Sequence, residues 1–298
     1  KKLWDALQIK TKINMKSTYR KYLESSCNHY ARVKPSIFGS EPIPIYDFYV
    51  PLDVKLGTEE LIEGVEYQSL LGMLPQGRAV ISGTAGGGKS VLMRHLFLSA
   101  QKTGHQVPVF VELRKANKEK TPLKSLISNA LQLFNFNLGN NIDLYVEQAL
   151  GLGHFVLILD GYDEVDPDHK QQLTEELLEL SSKAPNCIIV LSTRPDQTTQ
   201  GWEGFSNFNL QCLSKHQAIQ MVNKLPYDKV VKERFSGELD ATLYDKHLEF
   251  VSNPLLLVIM LVTYGRSAEI PENLNEFYNQ AFDALFRAYP VDADTHYI

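Results

Sequence analysis

Cysteine is scarce in this chain of 298 residues, which contains only three. Cys27, Cys187 and Cys212 lie far apart, and no two of them form the close pair that zinc sites and redox motifs use. The odd number and the wide spacing argue against a disulfide framework and against a zinc site. Cys187 and Cys212 lie in apolar runs, so we expect both to be buried as small hydrophobic side chains. A reducing, cytoplasmic compartment fits this pattern.

A basic surplus is also absent, because the formal net charge at pH 7 is -5. The sequence therefore carries no direct signal for nucleic-acid binding, which requires a positively charged face. One dense basic run contains Arg114, Lys115, Lys118, Lys120 and Lys124. We interpret this run as a solvated loop rather than as a binding patch.

Long hydrophobic runs are missing as well. The longest uninterrupted apolar run extends from Leu255 to Val262, far below the roughly 20 residues that a membrane-spanning helix requires. The first residues do not have the features of a signal peptide. We therefore predict no membrane association. The chain starts at Lys1 without an initiator methionine and stops at Ile298, so we expect it to be a fragment of a longer protein.

The central part of the chain has the pattern of an α/β fold. From residue 79 onward, short apolar runs alternate with longer segments of helical periodicity, which predicts a mainly parallel sheet flanked by helices. Thr121 and Pro122 predict one helix start, with Thr121 as N-cap and Pro122 as the first helical residue. The predicted strands are 79–82, 107–113, 155–159, 187–191 and 208–210.

Helical patterns dominate the two ends of the chain. Residues 2–30 are compatible with a helix, and the prolines that follow them mark a linker. After the last predicted strand, Ser214 and Gln217 form a capping box ahead of an amphipathic helix. Pro254 and Pro271 each predict a further helix start. A small helical domain therefore follows the α/β domain.

A phosphate-binding motif lies between a predicted strand and a predicted helix. Residues 83–90 match G-x-x-x-x-G-K-[ST], in which glycines let backbone N–H groups surround phosphates. Lys89 is expected to reach the β- and γ-phosphates, and the Ser90 hydroxyl to bind Mg²⁺. The alternative, a glycine-rich turn that happens to carry Lys-Ser, is disfavoured by the flanking strand and helix. The predicted nucleotide-binding residues here are Gly83, Thr84, Ala85, Gly86, Gly87, Gly88, Lys89, Ser90 and Val91.

A second motif follows the apolar strand at 155–159. Asp160 ends that strand and is predicted to bind Mg²⁺ together with Ser90. Because Gly161 has no side chain, the carboxylate that orients the attacking water cannot come from the residue after Asp160. We expect Glu164 to be this base, with Asp163 supporting the metal or sharing the role. The alternative is that these acidic residues only form a loop and cap the next helix.

Together the two motifs resemble NACHT domains, a branch of the STAND class of P-loop NTPases. Residues 159–164, Leu-Asp-Gly-Tyr-Asp-Glu, are similar to the modified Walker B signature of that family. The related NB-ARC branch typically has paired aspartates there, without the Gly-x-Asp-Glu tail. Tyr162 stands where the family commonly has Leu or Phe, and we expect this difference to be tolerated. The resemblance covers residues 46–285, which is most of the chain.

Three further segments resemble the same family. The predicted strand at 187–191, followed by Ser-Thr-Arg-Pro, is similar to the sensor 1 motif of that family. This resemblance implies that Arg194 contacts the γ-phosphate and takes part in catalysis. The alternative is a surface arginine before a turn. Pro254 resembles a proline that packs on the adenine, although a plain helix start would also favour proline there. Tyr49, Val50 and Pro51 resemble the segment that closes over the base.

The resemblance also implies a division into four segments. These are an N-terminal helical and linker segment (1–45), the nucleotide-binding α/β domain (46–212), a helical domain (213–270) and the truncated start of a winged-helix domain (271–298). The family's winged-helix histidine, which holds ADP in the resting state, has no counterpart here, because His296 lies too early. We also find no convincing arginine finger.

The function that the resemblance implies is a signal-transduction switch. ATP and ADP with Mg²⁺ would be its ligands, hydrolysis would be slow and regulatory, and activation would lead to oligomerisation. Related switches serve in innate immunity or in antiphage defence, so the trigger would be an unknown ligand such as a phage or pathogen component. An effector domain is expected before residue 1 or after residue 298.

Three other functions are alternatives to the switch. A motor-like ATPase of the AAA+ kind would carry an arginine finger and a glutamate directly after Asp160, where Gly161 stands instead. A scaffold locked by bound nucleotide would not need Lys89, Asp160 and Glu164 together. A small-molecule kinase is the least favoured alternative, because no segment for binding a phosphate acceptor is apparent.

Overall fold

The structure of the protein is a computed structural model that describes residues 19–34, 41–57, 60–136 and 142–267. These residues form two compact units. The first contains the described residues up to Ala31, together with Leu52–Thr84 and Lys89–Gln211. The second contains the described parts of Arg32–Pro51, the short segment Ala85–Gly88 and the described residues from Cys212 onward.

Nine strands account for the β structure of the described residues. In chain order they are β1 (Arg32–Val33), β2 (Ile43–Pro44), β3 (Val54–Leu56), β4 (Glu60–Ile62), β5 (Arg78–Ser82), β6 (Val107–Glu112), β7 (Phe155–Asp160), β8 (Ile188–Thr193) and β9 (Ser206–Leu210). Strands β1 and β2 pair antiparallel within the second unit. The other seven form one sheet in the first unit.

The helices of the described residues are numbered in chain order. They are α1 (Arg20–Tyr30), α2 (Tyr67–Gly72), α3 (Lys89–Thr103), α4 (Leu123–Leu133), α5 (Ile142–Gly151), α6 (Pro167–Lys183), α7 (Gln197–Gln200), α8 (Lys215–Lys224), α9 (Lys229–Glu238), α10 (Tyr244–Lys246), α11 (Leu248–Val251) and α12 (Pro254–Ser267). Short 3₁₀ segments lie at Ile45–Asp47, Leu113–Lys120 and Tyr162–Glu164, and a π-helical segment at Leu239–Leu243. Within the described ranges, no helix combines the length and apolar character that crossing a membrane requires.

The seven-stranded sheet has the order β4-β3-β9-β5-β8-β7-β6. The five strands from β9 to β6 are parallel, whereas β3 and β4 extend the sheet by antiparallel pairing. Helix α3 packs against β6, β7 and β8, and α4 packs against β6. The predicted fold class, a mainly parallel sheet flanked by helices and followed by a helical segment, is confirmed.

The central strands owe their position to nearly continuous apolar sequence. Strands β5, β6, β7 and β8 are buried along almost their whole length, as parallel strands covered on both faces require. The five predicted strands are confirmed, with ends that differ by at most two residues. Strands β3 and β4 were not predicted, because three residues each are too few for a clear alternation pattern.

Helix α4 corrects one sequence prediction. It begins at Leu123 with Pro122 as its N-cap residue, so Thr121 is not the cap. The Thr121 hydroxyl instead donates to the Lys118 carbonyl at 2.6 Å, and its backbone N–H donates to the Ala116 carbonyl at 2.9 Å. These two bonds close the preceding turn, so Thr121 belongs to that turn rather than to the helix.

The cysteine prediction is half right. Cys187 is buried, and burial raises the pKa of its thiol to about 12. Cys212 is exposed, which contradicts its expected burial. It lies two residues after the end of β9. Its neighbour Leu213 is buried instead and donates its N–H to the Ser252 carbonyl at 2.8 Å. An apolar run was therefore a poor guide to the side-chain direction outside a strand.

The second unit contains helices α8 to α12. The predicted capping box is confirmed, because the Ser214 hydroxyl and the Gln217 side chain bond reciprocally to each other's backbone. Helix α12 begins at Pro254 as predicted. The predicted helix over 2–30 is confirmed from Arg20 to Tyr30, and its earlier part lies outside the described residues. So do the predicted helix start at Pro271 and the segment 271–298; the four-segment division stays a prediction.

Candidate active site

The phosphate-binding motif lies at the carboxyl end of β5. The strand ends at Ser82, residues 83–88 form the loop, and α3 starts at Lys89. The N–H of Gly83 donates to the Thr193 carbonyl at 3.2 Å, which joins the start of the loop to the end of β8. Gly86 and Gly88 have φ values of 73° and 92°, a region that favours glycine. This backbone path ahead of a helix N-terminus is suited to binding phosphate through N–H groups.

Lys89 is the first residue of α3 and folds over the start of the loop. Its ammonium group donates to the carbonyls of Gly83 at 2.7 Å and Thr84 at 3.0 Å. Burial lowers the pKa of Lys89 below its ordinary value, while nearby carboxylates, led by that of Asp163, act in the opposite direction. The predicted phosphate-binding ammonium therefore lies within electrostatic reach of the acidic strand end.

Asp160 ends β7, which lies two strands away from β5 in the sheet. Burial raises the pKa of Asp160 above its ordinary value, and hydrogen bonds with Ser192 and Ser90 act in the opposite direction. The Ser192 hydroxyl donates to Asp160 Oδ1 at 2.5 Å. The structure thus brings together the two side chains predicted to bind Mg²⁺, Ser90 and Asp160.

This oxygen pair fits Mg²⁺. A hydroxyl and a carboxylate are ligands that Mg²⁺ accepts, and it commonly takes one or two protein ligands and completes its octahedron with phosphate and water. Within the part of the chain that the structure describes, no group of three or more His, Cys, Asp and Glu side chains could hold a metal. A hydroxyl and a carboxylate alone leave room for phosphate and water among the ligands of such an ion.

Ser192 is a site residue that the sequence analysis left without a role. Besides donating to Asp160, its hydroxyl oxygen accepts the Gly161 N–H at 2.9 Å. One side chain therefore holds both the carboxylate and the backbone turn that follows it. A hydroxyl residue at the carboxyl end of β8, the strand next to β7, was the signal that could have identified it.

Gly161 makes the turn after β7 possible. Its φ of 82° lies in the left-handed region, and a Cβ added there would lie 3.2 Å from Glu164 Cδ. The chain then enters the 3₁₀ turn Tyr162–Glu164. Tyr162 is buried, and its hydroxyl hydrogen-bonds with the Thr174 hydroxyl at 2.7 Å, so a tyrosine is accommodated at this position.

Asp163 and Arg194 form an ion pair. Arg194 Nε lies 2.9 Å from Asp163 Oδ2, and the backbone N–H of Arg194 donates to Asp163 Oδ1 at 3.1 Å. Both carboxylate oxygens of Asp163 therefore contact the residue predicted to sense the γ-phosphate. The predicted roles of Asp163 and Arg194 in catalysis stay predictions.

Glu164 is exposed at the end of the 3₁₀ turn. Partial burial raises the pKa of Glu164 above its ordinary value, and the charges of Asp160 and Asp163 add to that rise. The positive charge of Arg114 lowers it. A carboxylate with a raised pKa near the aspartate predicted to bind metal has the properties that a general base requires. Its assignment as the base remains a prediction.

The tip of the phosphate-binding loop, Ala85–Gly88, belongs to the second unit and contacts the start of α12 there. The Asn253 side-chain amide donates to the Ala85 carbonyl at 2.9 Å, and the Leu255 N–H donates to the Gly86 carbonyl at 3.2 Å. A Cβ at Gly86 would lie 2.8 Å from Asn253 Oδ1. Pro254, which lies between Asn253 and Leu255 in sequence, is half-buried. Its predicted contact with adenine stays a prediction.

The predicted base-covering segment also lies in the second unit. Tyr49 and Val50 are buried, whereas Pro51 is exposed. The ammonium group of Lys224 donates to the Tyr49 carbonyl at 2.8 Å, and the Gln217 side chain donates to the Pro51 carbonyl at 2.9 Å. Helix α8 therefore fixes the path of this segment, and the predicted contact of Tyr49, Val50 and Pro51 with a base stays a prediction.

The basic run noted in the sequence is largely neutralised by acidic neighbours. Glu112 lies 3.4 Å from Arg114 and 3.3 Å from Lys115. Lys120 pairs with Asp168 and Lys124 with Glu147, each at 2.6 Å. These contacts support a solvated surface rather than a binding patch. The predicted loop is wrong, because Leu113–Lys120 form a 3₁₀ segment and Lys124 lies on α4.

Comparison with protein-family models matches residues 78–229, just over half of the chain, to the NACHT domain. No curated protein sequence matches the chain. Among solved structures, it is similar to the Walker-type ATPase PABY2304 of Pyrococcus abyssi, at 13% identity and a TM-score of 0.44, over 74% of this chain and 70% of that one.

Two other solved structures are similar at comparable levels. PCH-2 of C. elegans matches at 11% identity and a TM-score of 0.38, over 74% of this chain and 64% of that one. The STAND protein PH0952 of Pyrococcus horikoshii, which has a tetratricopeptide repeat sensor, matches at 18% identity and a TM-score of 0.42. That match covers 80% of this chain and 33% of PH0952, so the chain spans about a third of that protein's length. These identities and TM-scores are too low to transfer a function.

Proposed function

The chain belongs to the NACHT family of STAND-class P-loop NTPases, and we propose that it is a switch that binds ATP or ADP with Mg²⁺ and hydrolyses ATP slowly. Membership of the family and the P-loop fold support NTPase activity in general. The slow, regulatory character of that activity and its consequences are our proposal.

The proposed roles follow from the chemistry of each side chain. Backbone N–H groups of residues 83–90 would bind the phosphates, with Lys89 neutralising charge on the β- and γ-phosphates. Ser90 and Asp160 would hold Mg²⁺, which neutralises phosphate charge when bound. Glu164 would orient the attacking water, and its raised pKa supports this role because a higher pKa makes the carboxylate a stronger proton acceptor.

The contact between Asp163 and Arg194 is the observation that carries the switch. Two bonds join the Asp163 carboxylate, in the turn after Asp160, to Arg194, which directly follows β8. The γ-phosphate of ATP offers the Arg194 guanidinium a competing anionic partner, whereas ADP does not. A ligand can shift an equilibrium only if it makes different contacts in the two states, and this ion pair supplies such a difference.

The same ion pair supports slow turnover. Asp163 holds Nε of Arg194 and partly neutralises its guanidinium, so less of that positive charge can act on a transferred phosphoryl group until the pair rearranges. Gly161 also supports the switch over an AAA+ motor, because the residue directly after Asp160 carries no carboxylate.

We extend the proposal to assembly. In the family that the chain belongs to, ATP-bound proteins of this class oligomerise on activation, and we propose the same here. The trigger would be an unknown ligand, such as a phage or pathogen component, as in antiphage defence or innate immunity. The effector would lie in a part of the protein outside these residues.

The test compares wild type with Lys89→Ala and Glu164→Gln, using Glu203→Gln as an exposed control of the same chemistry. Co-purified nucleotide, the rate of ATP hydrolysis and the molar mass in ATP and in ADP would be measured. We expect Lys89→Ala to lose nucleotide, because it removes the phosphate-binding ammonium. We expect Glu164→Gln to bind ATP, to lose at least 100-fold in turnover and to shift towards larger assemblies.

Three results would contradict parts of this proposal. Fast turnover that Glu164→Gln leaves unchanged would reject the base and favour the motor. Nucleotide that stays bound without any turnover by wild type would favour the locked scaffold. A molar mass that is the same in ATP and in ADP, for wild type and for Glu164→Gln, would reject nucleotide-controlled assembly.

A further inference from the structure

The side chain of Asn117 hydrogen-bonds to the backbone of the turn that carries Glu164. The Asn117 side-chain amide donates from Nδ2 to the Glu164 carbonyl at 3.0 Å. Its Oδ1 accepts the backbone N–H of Asp166 at 2.9 Å. One planar amide therefore binds the backbone on both sides of Val165, which is itself buried. No motif in the sequence marks Asn117 as a site residue.

Asn117 lies on a segment that is well suited to act as a fixed support. It belongs to the 3₁₀ segment Leu113–Lys120, which follows β6 directly. Leu113 and Ala116 of that segment are buried, and the Ala116 carbonyl accepts the Thr121 N–H at 2.9 Å. The side chain of Asn117 is therefore presented by backbone that is anchored on both sides of it.

The position of the Glu164 carboxylate depends on this backbone. The Glu164 N–H donates to the Gly161 carbonyl at 3.0 Å, and its own carbonyl accepts from Asn117. Both backbone polar groups of Glu164 are thus bound, although its side chain is exposed. A carboxylate that must orient water needs a backbone held in a defined position, because misplacement by about 1 Å can reduce a rate by about 100-fold.

The same segment also influences the charge of Glu164. Arg114, three residues before Asn117, lowers the pKa of Glu164 and so opposes the effect of burial. The segment after β6 therefore acts on Glu164 in two ways, through the hydrogen bonds of Asn117 and through the charge of Arg114. Neither residue was assigned a role in the site from the sequence.

We propose that Asn117 is a positioning residue for ATP hydrolysis, which holds the backbone of Glu164 so that its carboxylate can orient the attacking water. This inference rests on the proposed role of Glu164 as the base. Asn117 itself touches neither nucleotide nor water in this role. Its removal is therefore expected to reduce turnover without weakening nucleotide binding.

The experiment measures kcat and KM for ATP, and the Kd for ADP, in wild type, Asn117→Ala, Glu164→Gln and the double variant. Asn129→Ala is the matched control, because Asn129 is exposed on α4. We expect Asn117→Ala to reduce kcat about tenfold or more, with KM and Kd within about twofold of wild type. In the Glu164→Gln background, Asn117→Ala should reduce kcat by less than about twofold, because both changes act through one group.

A second variant guards against loss of folding. Asn117→Asp keeps an acceptor for the Asp166 N–H and removes the donor to the Glu164 carbonyl, so it should remain folded and still lose turnover. Thermal melting of each variant separates a loss of fold from a loss of positioning. A merely structural Asn117 would lower the melting temperature and leave kcat unchanged in the folded protein.

The outcomes separate this inference from the proposed function. If Glu164→Gln abolishes turnover while both Asn117 variants behave like Asn129→Ala, the positioning role is wrong and the base assignment stands. An equal loss of kcat in both the wild-type and the Glu164→Gln backgrounds also overturns it, because Asn117 would then act independently of Glu164. If Glu164→Gln keeps full turnover, the proposed base is wrong. The positioning role of Asn117 is then wrong as well, because it acts through Glu164.

Discussion

Replacing Gly161 by alanine tests how the turn after Asp160 is built. Gly161 has a φ of 82°, where an L-residue with a Cβ is strained. The added Cβ would also lie 3.2 Å from Glu164 Cδ, a contact that the Glu164 side chain can relieve only by moving. The substitution therefore strains the backbone and displaces the carboxylate at the same time.

The magnitude follows from the two ways in which the chain could respond. Keeping the left-handed conformation costs about 1–2 kcal/mol for alanine. Leaving that conformation breaks the bond from the Gly161 N–H to Ser192 Oγ at 2.9 Å and the bond from the Glu164 N–H to the Gly161 carbonyl at 3.0 Å. Each lost hydrogen bond costs about 1 kcal/mol, so this response is no cheaper. We expect a destabilisation of about 1–2 kcal/mol, which lowers the melting temperature by roughly 2–8 °C.

The assay is thermal melting combined with ATP turnover, with Gly201→Ala as the control. Gly201 has an ordinary φ of -90°, and a Cβ added there meets no atom within 4 Å. That control should leave stability unchanged or raise it by up to about 1 kcal/mol. The Gly161→Ala variant should melt at a lower temperature and lose turnover several-fold. Equal melting temperatures for the two variants would refute the reasoning, because the left-handed turn would then not require glycine.

Two further predictions concern individual side chains. Native protein treated with a maleimide at neutral pH should be labelled at exposed Cys212 and not at Cys187, because burial raises the Cys187 pKa to about 12. Mass spectrometry of peptides checks this prediction. Equal labelling of both cysteines would contradict the burial of Cys187. Arg114→Gln should move the acid limb of the kcat profile to higher pH, because the positive charge that lowers the pKa of Glu164 is removed while burial continues to raise it. Profiles measured at low salt check the sign, and an unchanged limb or one at lower pH would contradict it.

The phosphate-binding loop could be predicted from the sequence because its chemistry is local. Residues 83–90 carry their own glycines, lysine and serine, and the strand and helix around them are visible as apolar patterns. Asp160 was identifiable for the same reason, since it ends a long buried strand. The capping box at Ser214 is equally local, because its two partners are three residues apart.

Predictions failed where a side chain's partner lies elsewhere or where no regular element sets its direction. Thr121 has the sequence context of a helix N-cap, but its hydroxyl donates to the carbonyl of Lys118, which precedes it in the chain. Cys212 sits in an apolar run, yet no strand continues through it to direct the side chain inwards. Local sequence does not state which of two competing hydrogen bonds or orientations is used.

The sequence by itself determined the family and the parallel sheet, and it singled out the residues predicted to face phosphate and metal, because these depend on short motifs and on hydrophobic periodicity. The tertiary structure alone decided which residues support them. Ser192 reaches Asp160 across neighbouring strands, Asp163 engages Arg194, and Asn117 binds the Glu164 turn from 47 residues away in sequence. Such contacts depend on how strands are ordered in the sheet, and strand order is set by packing of the whole unit rather than by any segment of the chain.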